Sequence, residues 1–77
     1  MGFKTLETVV LERDMSDYGL RKGDLGAVVH VYDGGGLEVE FVTAAGQSGA
    51  VVSLRDSDVR AVADSDLVSV RPFRRSA

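Results

Sequence analysis

An all-β fold is predicted for this 77-residue chain by three observations. Short β-branched runs recur along its length, clusters of Gly and Asp separate them, and one run alternates strictly between apolar and acidic residues. Residues 6–12 form the first run, centred on Val9, Val10 and Leu11. Residues 25–32 form the second, dominated by Val28, Val29 and Val31. Residues 37–43 form the third, with Leu37, Val39 and Phe41 on one face and Glu38 and Glu40 on the other, the period of a strand with one wet face. Residues 50–54 and 59–63 supply two more strands, and residues 67–71 suggest a sixth short extended piece.

The connections predict how these strands are joined. Asp33-Gly34-Gly35-Gly36 supplies residues that tolerate positive φ, as a tight hairpin needs. Residues 44–49 hold Gly46 and Gly49 and suit a second hairpin. Residues 13–24 are longer, polar and poor in β-branched types, so a folded loop is expected there. Arg55-Asp56-Ser57-Asp58 has little β propensity, and its Asp and Ser side chains can cap a single 3₁₀ turn. A helix across residues 59–70 is the weaker reading, because Val, Ser and Asp are poor helix formers and Asp64-Ser65-Asp66 reads as a turn. Strand, long loop, strand, hairpin, strand, hairpin, strand, 3₁₀ turn, strand is the layout of a small SH3-like barrel of about five strands, with the 3₁₀ turn before the last core strand. Such a barrel is a bent sheet closed on itself, which removes exposed edges. Gly26, inside the second strand, is expected to mark a bend.

Composition narrows the function. A chain this short folds as one domain and buries roughly 60% of its unfolded surface, enough for one core but not for a deep pocket. The absence of Cys excludes disulfide staples, thiolate zinc sites and cysteine nucleophiles. No apolar run approaches the ~18 residues of a membrane span, and the start does not resemble a signal peptide. Met1-Gly2 begins like a myristoylation signal, but Leu6 stands where Ser or Thr is needed. A cytoplasmic protein without membrane contact is expected. Residues 1–70 carry six basic side chains against twelve acidic ones, and residues 71–77 carry three arginines and no acid. The chain therefore divides into an acidic barrel, 1–70, and a basic C-terminal tail, 71–77. An acidic body repels phosphate backbones, so nucleic acid is disfavoured for the barrel and left open for the tail.

The segment Gly23-Asp24-Leu25-Gly26-Ala27-Val28-Val29 is similar to the Gly-x-x-Gly-x-Val core of KOW-type barrels. More closely, Val9-Val10-Leu11, Asp14, Gly19-Leu20, that same segment, Tyr32, Glu38-Val39-Glu40-Phe41, and Leu54 with Asp58-Val59-Arg60-Ala61-Val62 resemble a family of small bacterial SH3-like domains of unknown function. The resemblance spans about two-thirds of the chain and implies an SH3-like fold. It carries no reaction, cofactor or catalytic residue. Members are often short stand-alone proteins, some of them resembling the small partner of toxin–antitoxin gene pairs.

Chemistry is sparsely represented. His30, the single His, sits mid-strand, and a triad or zinc site would need partners the pattern does not supply. Glu38 with Glu40, Asp56 with Asp58, and Asp64 with Asp66 match neither a glycosidase cleft nor a calcium loop, and read as solvated or turn-capping carboxylates. The Gly34–Gly36 run joins two strands with no following Lys, unlike a phosphate loop. No catalytic residue, cofactor or metal is expected, and the chain is read as not an enzyme. The expected function is a protein-binding module for a basic partner, through Asp14, Asp17 and Tyr18 of the long loop with Tyr32, Glu38 and Glu40. Tyr18 is weighed equally against a role, with Leu20, in closing the barrel end. Accessory, antitoxin-like or immunity-like roles fit that reading. A nucleic-acid or ribosome-associated KOW-like role, using Arg71, Phe73, Arg74 and Arg75, is the alternative. Self-association through a strand edge is a third.

Overall fold

The structure, a computed structural model, describes residues 2–74. Five antiparallel strands form one sheet: β1 (Thr8–Leu11), β2 (Leu25–Val31), β3 (Leu37–Val42), β4 (Ser48–Leu54) and β5 (Val59–Ala61). Their order is β4-β3-β2-β1-β5, and the sheet wraps round one core as an SH3-like barrel. The expected 3₁₀ turn is present at Asp56–Asp58, immediately before β5. Val9, Leu11, Val28, Leu37, Val39, Phe41, Val52, Leu54 and Val59 point inward, joined by Leu20 from the long loop. Leu54 and Val59 lie on the two outermost strands, so side chains meet in the core where no ladder joins β4 to β5. Both strands therefore remain sheet edges, which corrects the expectation of full backbone closure.

Several boundaries differ from the sequence expectation for local reasons. The first ladder starts at Thr8 because Leu6 adopts φ 73°, while its N–H still donates to the Val28 carbonyl. The fifth strand stops at Ala61, and a turn over residues 63–66 follows, closed by the Asp66 N–H on the Ala63 carbonyl. That turn also excludes the helix reading. Residues 67–71 form no strand. Within the long loop, Ser16–Tyr18 forms an unanticipated 3₁₀ turn ended by Gly19 at φ 72°, and Met15 and Leu20 exchange backbone hydrogen bonds across it. Leu20 closes the barrel end, whereas Tyr18 stays exposed.

Gly26 does not mark the irregularity in β2; the register shift falls between Val28 and His30. Its lack of a side chain serves packing instead. A Cβ there would stand 2.6 Å from Val39 Cγ1 and 2.9 Å from Phe41 Cε1, so the glycine lets these two core residues approach the backbone.

β1 is covered on both sides. Val9 and Leu11 enter the core, and Val10 is equally buried although it belongs to the opposite face and lies outside the core cluster. Val10 pairs with Arg60 on one side and Leu25 on the other. Residues 66–73 run along this side of the sheet, and Val10 lines the cleft beside them. Arg60 holds Asp66 in a two-pronged ion pair, with Nη1–Oδ2 at 2.8 Å and Nη2–Oδ1 at 3.0 Å. Arg71 grips Asp24, at the mouth of β2. The segment thus crosses β1 from the β5 side to the β2 side as a strap. Phe73 packs on the core edge, its ring 3.3 Å from where a Gly19 Cβ would stand and 3.2 Å from a Gly49 Cβ.

Candidate partner-binding surface

The six residues expected to contact a partner fall into two groups. On the outer face of the sheet, His30 of β2 and Tyr32, just past the end of that strand, lie beside Glu38 of β3. Glu38 sits between His30 and Ser53 across the strands, and Glu40 sits between Ala27 and Val51. The Tyr32 hydroxyl donates to Glu38 Oε1 at 3.2 Å, and the His30 and Tyr32 rings meet edge to face at 4.5 Å. The hairpin that positions Tyr32 closes through its N–H on the Gly36 carbonyl, with Gly34, Gly35 and Gly36 all at positive φ. The result is a surface of two exposed rings and two half-buried carboxylates, bordered by the exposed Val51.

Asp14, Asp17 and Tyr18 lie at the opposite end of β2. β2 has seven residues, up to roughly 20 Å of strand. Asp14 accepts the Lys22 N–H at 2.8 Å and so staples the loop. Asp17 and Tyr18 are exposed on the 3₁₀ turn. The structure brings Tyr32, Glu38 and Glu40 together but does not bring the loop residues to them.

Two residues of the basic tail, Arg71 and Phe73, are engaged within the fold. Arg71 Nε donates to Asp24 Oδ1 at 2.9 Å and Nη2 to Oδ2 at 2.5 Å, and Nη2 also reaches the Gly19 carbonyl at 2.9 Å. With Phe73 on the core edge, neither of these two residues projects as a free arm. Arg74 is exposed, and Arg75 lies outside the described residues.

Three aspartates act as structural hubs: Asp58 and Asp66, which the sequence reading allows as turn caps, and Asp24, which it does not single out. Asp24, Asp58 and Asp66 each accept the N–H three residues earlier, from Arg21, Arg55 and Ala63 at 2.8, 2.9 and 2.7 Å. Each is also gripped by an arginine: Asp24 by Arg71, Asp58 by Arg13, Asp66 by Arg60. Burial pushes the Asp24 carboxyl up, but the Arg71 and Arg21 interactions outweigh it and hold the group below the usual range. Asp58 follows the same balance, with Arg55 and Arg13 prevailing over burial. The Arg60 fork, with the Ala63 N–H, holds Asp66 at about 2. A sequence signal for them existed. Arg21-Lys22-Gly23-Asp24-Leu25, Arg55-Asp56-Ser57-Asp58-Val59 and Ala63-Asp64-Ser65-Asp66-Leu67 repeat one form, a three-residue lead into Asp and then an apolar residue.

A half-open cleft of about 790 Å³ runs between the strap and the outer sheet face, with Leu25, Val42 and Val62 among its apolar lining and Arg21 and Lys22 on its rim. The two carboxylates that line it, Asp24 and Asp66, are the ones held by Arg71 and Arg60, so neither is poised to move a proton. Among the described residues no three His, Asp or Glu side chains converge as a metal site, and no helix is long and apolar enough to cross a membrane.

Residues 5–61 match a family defined by sequence. The chain belongs to the family described as a domain of unknown function, DUF4926. The DUF4926 match runs from just before β1 to the end of β5, so the strap lies outside it. No curated protein and no solved structure matches the chain.

Proposed function

We propose that this DUF4926 protein is a non-catalytic protein-binding module of the bacterial cytoplasm that takes a basic partner on the Tyr32–Glu38–Glu40 face. An accessory role, or an antitoxin-like or immunity-like one, is the setting such a module fits. The observation that carries this reading is how charge is compensated. Among the described residues, Arg13, Arg60 and Arg71 are paired with aspartates and Glu12 at the far side of the sheet, and no Lys or Arg forms an ion pair with Glu38 or Glu40. Two uncompensated carboxylates beside exposed rings attract a cationic surface and speed its encounter. The rings supply contact area at low entropy cost. A nucleic-acid role draws less support, because Arg71 and Phe73, two of its four residues, are engaged inside the fold.

The test is recovery of partners from native cells by the tagged wild-type protein and by the double variant Glu38→Lys, Glu40→Lys, quantified by mass spectrometry. A basic protein retained by wild type, released by added salt and lost from the variant supports the reading. Equal recovery by both removes it.

A further inference from the structure

We propose that residues 66–71 of the strap dock a second copy of this chain, by pairing antiparallel with the same segment of that copy about a two-fold axis. Among the described residues, no main-chain group of Leu67, Val68, Ser69 or Val70 has a hydrogen-bond partner. Leu67, Val68 and Val70 are 95%, 77% and 97% exposed. Single exposed apolar residues are ordinary, but three in four positions on an unpaired backbone are not. The segment is nonetheless anchored at both ends, by Arg60 on Asp66 and by Asp24 on Arg71. Anchoring lowers the entropy cost of presenting it to a partner.

The patch continues beyond the strap. Leu25, Val42 and Val62 are 41%, 48% and 40% exposed and line the same cleft. Six exposed apolar residues lining one cleft are more than the scattered single ones a monomer surface ordinarily carries.

Charge selects the occupant. The segment reads Asp66-Leu67-Val68-Ser69-Val70-Arg71, acidic at one end and basic at the other. Laid antiparallel on itself, it places Asp66 against Arg71, Leu67 against Val70, and Val68 against Ser69. Both ends then carry opposite charges, and each joins an existing pair, so Arg60–Asp66 of one copy meets Arg71–Asp24 of the other. A parallel arrangement would set like charges together. An isologous contact of this kind closes as a dimer and does not propagate. It also gives the β-forming Leu-Val-Ser-Val run the ladder partner that the monomer lacks.

The test uses the full chain at rising concentration in sedimentation equilibrium. A concentration-dependent dimer is expected, weakened at least tenfold by Val68→Asp and unaffected by Val51→Asp or by the Glu38→Lys, Glu40→Lys pair, which lie on the part of the outer sheet face that does not line the cleft. Unchanged thermal midpoints keep folding out of the comparison. Because the chain has no Cys, register can be read directly. Mixing Leu67→Cys with Val70→Cys under mild oxidation should yield mixed disulfides in clear excess over either homodimer, since facing residues come within disulfide reach and each residue and its own copy do not. A monomer at every concentration, a dimer indifferent to Val68→Asp, or equal yields of mixed and like disulfides would overturn the proposal. So would a foreign protein that binds this strap while the chain itself stays monomeric.

Discussion

Replacing Asp24 by Asn leaves a side chain of the same shape but removes the charge that Arg71 grips. The pair is intermediate in burial, with side chains 28% and 18% exposed for Arg71 and Asp24. Fully exposed pairs contribute about 0–1 kcal/mol, and breaking a fully buried one costs about 3–5 kcal/mol. Two charge-assisted hydrogen bonds at this depth place the loss at about 2 kcal/mol. For a chain of this size that lowers the thermal midpoint by roughly 10 °C. Arg71→Gln should cost a similar amount, because it strands the same carboxylate. The informative assay is urea unfolding of both single variants and the double variant. If the strap is clipped as described, the double variant is much less unstable than the sum of the singles, with a coupling of about 1–2 kcal/mol. Coupling below about 0.3 kcal/mol would show that Asp24 and Arg71 act independently, and the strap account would fail.

Acid should loosen the same architecture. Asp66 is held at about 2, and Asp24 and Asp58 are also lowered, so their contributions are complete above the ordinary carboxylate value near ~3.9 and are lost as pH falls through the folded values. Thermal midpoints should hold between pH 7 and 5 and drop toward pH 2, and NMR titration of the Asp66 carboxyl should follow the low value in wild type and the ordinary one in Arg60→Gln. Gly26→Ala should destabilise by about 1–3 kcal/mol in urea melts, because its Cβ would enter the space of Val39 and Phe41. Val10→Thr should cost about 1–2 kcal/mol by burying a hydroxyl under the strap, while Val51→Thr, half exposed on the same sheet, should change stability by less than about 0.5 kcal/mol.

Strand placement was legible in the chain because side-chain alternation and glycine turns are local signals. Leu37 to Phe41 announces an inward face, and Asp33 to Gly36 announces its hairpin. The 3₁₀ turn at Asp56–Asp58 was legible for the same reason. The strap was not, because what fixes it is non-local: Arg71 finds Asp24 across 47 positions and Phe73 finds Gly19 and Gly49. One clue did exist. Val9, Val10 and Leu11 form an unbroken apolar run, which signals a strand buried on both faces and so demands a cover on each. The candidate site divides in the same way. Glu38 and Glu40 share a face because they alternate along β3, and Tyr32 joins them because it directly follows the paired strand β2. Asp14, Asp17 and Tyr18 seemed equivalent by composition, but antiparallel pairing sends them to the other end of β2.

Whether the C-terminal residues belong to the barrel decides how much cationic surface is left, and hence which partner the acidic face attracts. Proton NMR of the full chain answers this most directly. Docking requires nuclear Overhauser contacts from the Phe73 ring to the Gly19 and Gly49 α-protons, ring-current shifts on both glycines, and a slowly exchanging Arg71 Nε–H. Random-coil shifts for residues 66–74, with no such contacts, would contradict the account.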